Sequence, residues 1–160
     1  ELLAKRLLSQ TSKPNEALER LLLTRLKQRC GAHFTTQFEG MMHDRTSSAE
    51  LSAKFREYTS DRPLSFELQC MVLKTGIWPK FPVEDGVRPP HEFVDAIERF
   101  NAFHAEDSRH RILKWSHTSS SVVLTARFTS GMKELQVTSF QSWVLLLYNN
   151  TEPPRLTVQQ

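Results

Sequence analysis

A single glycine, Gly31, separates two stretches of helical periodicity, and this arrangement most constrains how the chain folds. Gly31 stands where a helix C-cap needs a positive φ, which glycine adopts without a Cβ penalty. After it, Thr36 and Glu39 have the spacing of a capping box, which predicts the start of a second helix. Residues 26–44 therefore predict a helical corner with no chemistry of its own. The apolar residues before the glycine recur every four positions and predict one buried helix face: Leu18, Leu22, Leu26 and Cys30.

The composition is that of an ordinary globular protein, with 39% hydrophobic and 24% charged residues, and 160 residues suffice for one or two small cores. The net charge of +3 is not concentrated in a run of Lys and Arg, so it does not argue for nucleic acid. The longest apolar run, residues 143–148, is too short to span a membrane. Both ends of the chain fall within helical patterns, so we expect an excerpt of a longer protein.

Cys30 and Cys70 occupy apolar-face positions, which predicts buried thiols in a reducing compartment, with a disulfide as the minor alternative. His104, His110 and His117 are six and seven residues apart, a spacing that zinc sites do not use. The five glycines are scattered singly and form no phosphate-binding loop. The sequence therefore predicts no metal, no cofactor and no active site.

Residues 1–62 carry three or four short helical patterns. They include helices at about 1–10 and 15–30, and a second capping box of Ser47 and Glu50 ahead of an apolar face. Helices this short cannot bury themselves singly, so we expect them to pack as part of a bundle.

Beyond residue 62 the period changes to that of strands. Alternation at 66–72 predicts a half-buried strand, and Trp78 is expected to fill a hydrophobic gap as a buried indole with one polar end. A helix is predicted from Pro90, followed by strands at 112–117, 122–128 and 134–137. A final helix starts at Thr138 or Ser139. We therefore predict an α+β fold: part of a helical bundle, then a small antiparallel meander with a helix against it.

A sheet of three or four short strands has exposed edges with unpaired N–H and C=O groups. Segments outside this sequence could cover those edges, or a partner could add a strand by β-augmentation. The residues alone leave both alternatives open.

Several stretches, in the same order along the chain, resemble the homology region of cullins, the scaffolds of multisubunit ubiquitin ligases. Residues 26–44 match the pattern LKxxCGxxFTxxxExMxxD. The others are LAKRLL at 3–8, VLKTGIWP at 72–79, FNAFH at 100–104, RILKW at 111–115, and SFQ with LLLYN within 139–149. His104 stands where the family has tyrosine, and the turn at 119–121 is short, so the resemblance is to a divergent member.

The resemblance implies that residues 1–62 are the later part of a four-helix bundle. Residues 63–137 would supply most of an α/β domain, and residues 138–160 would begin a winged-helix subdomain. A bundle and a winged helix that are both incomplete leave apolar faces uncovered, so we expect the excerpt alone to aggregate or to be marginally stable.

The resemblance further implies a non-catalytic scaffold in the cytoplasm or nucleus. Its α/β domain would take up a strand of a RING-box protein, which decides the edge question in favour of augmentation; the RING would recruit a ubiquitin-conjugating enzyme. Substrate adaptors would bind N-terminal repeats outside this chain, and no lysine here is assigned to the ubiquitin-like modifier of cullins. The predicted partner-binding residues are Leu68, Cys70 and Val72 in the first strand, Leu113 and Trp115 in the second, and Val123 and Thr125 in the third.

The alternative function is a nucleic-acid-binding module of winged-helix type, motivated by the pI of about 9.0 and the incipient winged helix. The groove-reading helix of such a module is not in the chain, which disfavours this alternative.

Overall fold

The computed structural model describes residues 2–8, 15–81, 86–108 and 110–150. These residues form five α-helices, one two-stranded antiparallel sheet and a 3₁₀ turn, so the α+β class is confirmed. The chain divides into two compact units, Glu1–Lys80 and Phe81–Gln160. The predicted domain boundaries at 62 and 137 stay predictions. The elements are α1 (Leu2–Leu8), α2 (Glu16–Cys30), α3 (Ala32–Tyr58), α4 (His91–Asp107), β1 (Ser121–Phe128), β2 (Gly131–Thr138), α5 (Ser139–Leu147) and the 3₁₀ turn Tyr148–Asn150.

The predicted corner is confirmed at Gly31, whose φ is +83° and whose N–H donates to the carbonyl of Lys27 at 3.0 Å. The predicted capping box of Thr36 and Glu39 is wrong. The helix α3 begins immediately after the glycine, at Ala32, so Thr36 lies one turn inside it and donates its hydroxyl to the Ala32 carbonyl.

The second predicted capping box, Ser47 with Glu50, is also wrong, because α3 is continuous for 27 residues. Residues 41–58 contain neither proline nor glycine, so the backbone has no reason to leave the helix there. The neighbouring serine, Ser48, turns its hydroxyl to another segment of the chain instead of capping its own helix.

The predicted buried face of α2 is wrong in most of its positions. Leu18 and Leu22 are about half exposed or more, Cys30 is exposed, and the buried leucine is Leu23. Among the described elements α2 packs against α3, so only the face that turns toward α3 is covered.

Both cysteines are free thiols, and of the two only Cys70 is buried as predicted. The expected marginal stability of the chain stays a prediction.

The sheet is smaller than predicted. The strands β1 and β2 pair in register from Ser121 opposite Thr138 to Phe128 opposite Gly131, and they join through a two-residue turn. The predicted strands at 66–72 and 112–117 are wrong as ladder strands, since the structure assigns no sheet pairing to either segment. The part of the predicted winged helix beyond residue 150 lies outside the described residues.

The second unit is built around aromatic side chains. Phe100 of α4 is fully buried and meets Trp115 edge to face at 5.8 Å between ring centroids. Trp143 of α5 is buried against His117 at 5.0 Å. The helix α5 packs on both strands and begins with a capping box between Thr138 and Gln141, as the sequence predicted for Thr138.

Candidate partner-binding site

Four polar side chains of α3 lie on one face of the helix because they are spaced by seven, four and four residues. We call this set the α3 seam: Gln37, Asp44, Ser48 and Ser52. An extended segment, residues 68–74, runs along the seam, and a turn then leads to Trp78. The segment and the turn give the seam main-chain and side-chain hydrogen bonds. The sequence contains this periodicity, but none of these four residues belongs to the predicted site.

The middle of the seam binds the main chain of the extended segment directly. Ser48 Oγ accepts from the N–H of Val72 at 2.9 Å and donates to its carbonyl at 3.2 Å. Ser52 Oγ donates to the carbonyl of Cys70 at 3.4 Å. The N–H of Lys74 donates to Asp44 Oδ2 at 2.9 Å. Helix side chains thus supply the bonds that a neighbouring strand would otherwise supply.

Asp44 also fixes the end of the segment. Its carboxylate is buried and accepts from the indole nitrogen of Trp78 at 2.9 Å, while the ammonium of Lys74 lies 3.6 Å from its other oxygen. This confirms the prediction of a buried Trp78 with one polar contact. Gln37 completes the attachment by donating to the carbonyl of Ile77 at 2.7 Å.

The bonds to the seam alternate along the segment, at Cys70, Val72 and Lys74. In an extended chain, the N–H and C=O of one residue point to one side and those of the next residue point to the other. The main chain of Met71 and Leu73 therefore points away from α3. Within the described residues neither main chain makes a hydrogen bond. The segment has one satisfied edge and one open edge.

The first three predicted site residues lie on this segment. Leu68 and Val72 are half-buried, and Cys70 is buried. Burial raises the pKa of the Cys70 thiol to about 12, so this thiol stays protonated and unreactive near neutral pH. The predicted strand at 66–72 is corrected here: the chain is extended, but its hydrogen bonds go to α3 and not to another strand. The binding role of these residues stays a prediction.

Leu113 and Trp115 lie in a second extended segment, which follows α4. Both are half-buried, and the Trp115 indole donates to Asn101 Oδ1 at 2.9 Å. This side-chain contact and the packing on Phe100 hold the segment to α4. The adjacent Ile112 is 92% exposed.

Val123 and Thr125 lie on β1, as predicted, and both side chains are exposed. The Ser139 N–H donates to the Ser120 carbonyl, one register step beyond the end of the β1–β2 ladder. Hydrogen-bonded and non-bonded pairs alternate in an antiparallel ladder, so Leu124 bonds to β2 while the main chain of Val123 and Thr125 points away from it. This edge of β1 has no paired strand among the described residues.

The predicted residues therefore fall into two groups. Three lie in the first unit, beside the α3 seam, and four lie in the second unit, on the segment after α4 and on β1. In the second unit Leu113 and Trp115 are outside the ladder that contains Val123 and Thr125.

In the described part of the chain no cluster of three or more His, Cys, Asp or Glu side chains could hold a metal ion. No described helix is long and apolar enough to cross a membrane.

Comparison with known proteins places these features in a family. The family model of the cullin alpha+beta domain matches residues 72–160, and that of the cullin alpha solenoid domain matches residues 1–52. The chain belongs to the cullin family. The first match covers the segment after α4, the hairpin and α5; the second covers α1, α2 and most of α3.

Individual cullins are similar over most of this chain. Cullin-1 of Oryza sativa subsp. japonica is 37% identical over 153 residues, which are 94% of this chain and 20% of that protein. Cullin-4A of Homo sapiens is 37% identical over 92% of this chain and 19% of its own length. Cullin-2 of Arabidopsis thaliana is 36% identical over 86% of this chain and 19% of its own length. The chain thus spans about a fifth of the length of these cullins.

Proposed function

We propose that this chain is part of the scaffold of a cullin–RING ubiquitin ligase and that it binds a RING-box protein by accepting a β-strand. Membership of the cullin family supports the scaffold role. The observation that carries the binding mode is the segment at 68–74, whose main chain is bound by α3 on one side and open on the other. An open, extended edge is the surface that β-augmentation uses.

The bound RING-box protein would recruit a ubiquitin-conjugating enzyme, so the chemistry would occur on partners and not on this chain. Substrate adaptors would bind other parts of the longer protein, in the cytoplasm or nucleus. The proposed partner-binding residues are the predicted ones: Leu68, Cys70, Val72, Leu113, Trp115, Val123 and Thr125. Met71 lies between Cys70 and Val72, and its main chain points to the open edge.

Titration calorimetry of the chain with a purified RING-box protein tests the proposal. We expect a 1:1 complex with a Kd of about 1 µM or tighter. Met71→Asp places a charge beside the open edge and should weaken binding at least tenfold, by about 1.4 kcal/mol. Met132→Asp, at an exposed methionine of β2, serves as the matched control and should bind like wild type.

Absence of binding by a chain that circular dichroism shows to be folded would contradict the proposal. Tight binding of a nucleic-acid duplex, with an affinity that falls steeply as salt is added, would favour the alternative function instead.

A further inference from the structure

The α3 seam does more than attach a loop, because its contacts select which backbone groups of the segment stay available. Ser48 uses one hydroxyl to bind both the N–H and the carbonyl of Val72. A side chain that satisfies both groups of one residue takes the place of a strand partner at that position. The same side of the chain is bound at Cys70 and Lys74.

We infer that Ser48, Ser52 and Asp44 are positioning residues that fix the register in which a partner strand pairs with this segment. The inference rests on the proposed function. With the even-numbered residues held by α3, a partner strand can exchange hydrogen bonds only with the odd-numbered ones, Met71 and Leu73. A shift of this segment by one residue along α3 would turn its side chains to the opposite faces and would break the bonds to the seam.

The structure also sets where the pairing ends. The N–H of Ile77 donates to the carbonyl of Lys74 at 3.3 Å, and Gly76 has φ +90°, so the chain turns there. At the other end, Arg56 of α3 pairs with Glu67 at 2.6 Å. The edge that α3 presents therefore spans about six residues, which is an ordinary strand length.

The side chains of this edge suit an uncharged strand. Gln69 and Met71 are exposed and carry no charge, and Leu73 is half-buried. Native proteins protect edges that should stay unpaired with charged residues or proline, and this edge has neither between 68 and 73.

Residue-resolved amide hydrogen exchange, measured by NMR on the chain with and without a RING-box protein, tests the inference. In the free chain the amides of Val72 and Lys74 should exchange at least tenfold more slowly than those of Met71 and Leu73, because only the first pair is hydrogen-bonded. On binding, the amides of Met71 and Leu73 should slow at least tenfold. Equal exchange of the four amides in the free chain would overturn the inference.

Protection on binding that appears only at Val123 and Thr125, or only at Ile112 and Leu113, would overturn the inference while leaving the proposed function standing. If the alternating pattern is present in the free chain but the RING-box protein does not bind, the proposed function fails and the inference fails with it. The two failures are therefore distinguishable.

Two neighbouring serines of α3 provide a matched pair of variants. Ser48→Ala should speed exchange of the Val72 amide at least tenfold and weaken RING-box binding about fivefold. Ser47→Ala should change neither, because the Ser47 hydroxyl makes no hydrogen bond to any described residue. The amide of Leu124 in the second unit is an internal reference, since general unfolding would speed its exchange as well. Equal effects of the two variants would overturn the positioning role.

Discussion

The indole nitrogen of Trp78 donates a hydrogen bond to the buried carboxylate of Asp44, 34 residues earlier in the chain, at 2.9 Å. The same carboxylate oxygen accepts the main-chain N–H of Lys74. Asp44 is therefore the point at which α3 holds the segment that follows it. The two N–H donors and the nearby ammonium offset the free-energy cost of burying this carboxylate. If the carboxylate is removed, the two N–H groups lose their acceptor and the cost of burying them is no longer offset.

Asp44→Ala should lower the free energy of unfolding by about 2–4 kcal/mol, because it leaves the buried indole N–H of Trp78 and the part-buried N–H of Lys74 without their acceptor. Asp44→Asn keeps one acceptor oxygen and should cost less. Urea denaturation followed by tryptophan fluorescence measures both. Glu50→Ala, at an exposed site of the same helix, is the control. A loss for Asp44→Ala within about 0.5 kcal/mol of that control would contradict the prediction.

Gly40 should be intolerant of a branched side chain because of Ile77. A Cβ at Gly40 would lie 3.0 Å from Cδ1 and 3.1 Å from Cγ2 of Ile77. We expect Gly40→Val to lower the unfolding free energy by about 1–3 kcal/mol through overpacking. In a double-mutant cycle with Ile77→Ala, the double variant should lose less stability than the sum of the single variants, by about 1 kcal/mol. Strict additivity would show that the contact is not responsible.

The buried thiol of Cys70 should make stability fall at alkaline pH. Its pKa is raised from 9.0 in the unfolded chain to about 12 in the folded chain, so the folded state keeps a proton that the unfolded state releases. The stabilisation is complete below pH 9 and is lost between pH 9 and 12, at about 1.4 kcal/mol per pH unit. The difference between wild type and Cys70→Ala isolates this slope from other groups. Parallel curves for the two proteins over this range would exclude it.

The effect of a charged substitution on the stability of α2 should depend on whether the replaced leucine is buried. Leu22 is 49% exposed and Leu23 is 8% exposed. Leu22→Glu should leave the unfolding free energy within about 0.5 kcal/mol of wild type and reduce aggregation. Leu23→Glu should cost about 3 kcal/mol or more, because it buries an unpaired carboxylate. Denaturation and light scattering of the two variants provide the comparison, and similar behaviour of both would contradict the structure of α2.

Features with a local cause were predictable from the sequence. The corner at Gly31 depends on one residue's φ, and the hairpin and the cap at Thr138 depend on short patterns. The buried face of α2 was not predictable, because its leucines lie on more than one side and contact with α3 decides between them. Alternation at 66–72 correctly indicated an extended, half-buried chain. It could not reveal that helix side chains, and not a strand, bind it, because alternation records burial and not the hydrogen-bonding partner.

The two edges of β1 should respond differently to proline, which has no N–H to donate. In the inferred pairing the N–H of Ala126 bonds to β2, whereas the N–H of Thr125 points to the open edge. Ala126→Pro should therefore cost at least about 2 kcal/mol more than Thr125→Pro in unfolding free energy, since sheets accept proline only where the N–H is unpaired. Thr125→Ser and Ala126→Ser are controls for the change of side chain.

The same pair of variants also reports on which edge the partner uses. If a RING-box protein pairs with β1, Thr125→Pro should abolish binding although the chain stays folded. If it pairs with the segment beside the α3 seam, Thr125→Pro should bind normally and Met71→Pro should not. Calorimetric titration of both variants distinguishes the edges. Equal loss of stability for Thr125→Pro and Ala126→Pro would instead show that the assigned alternation of bonds along β1 is wrong.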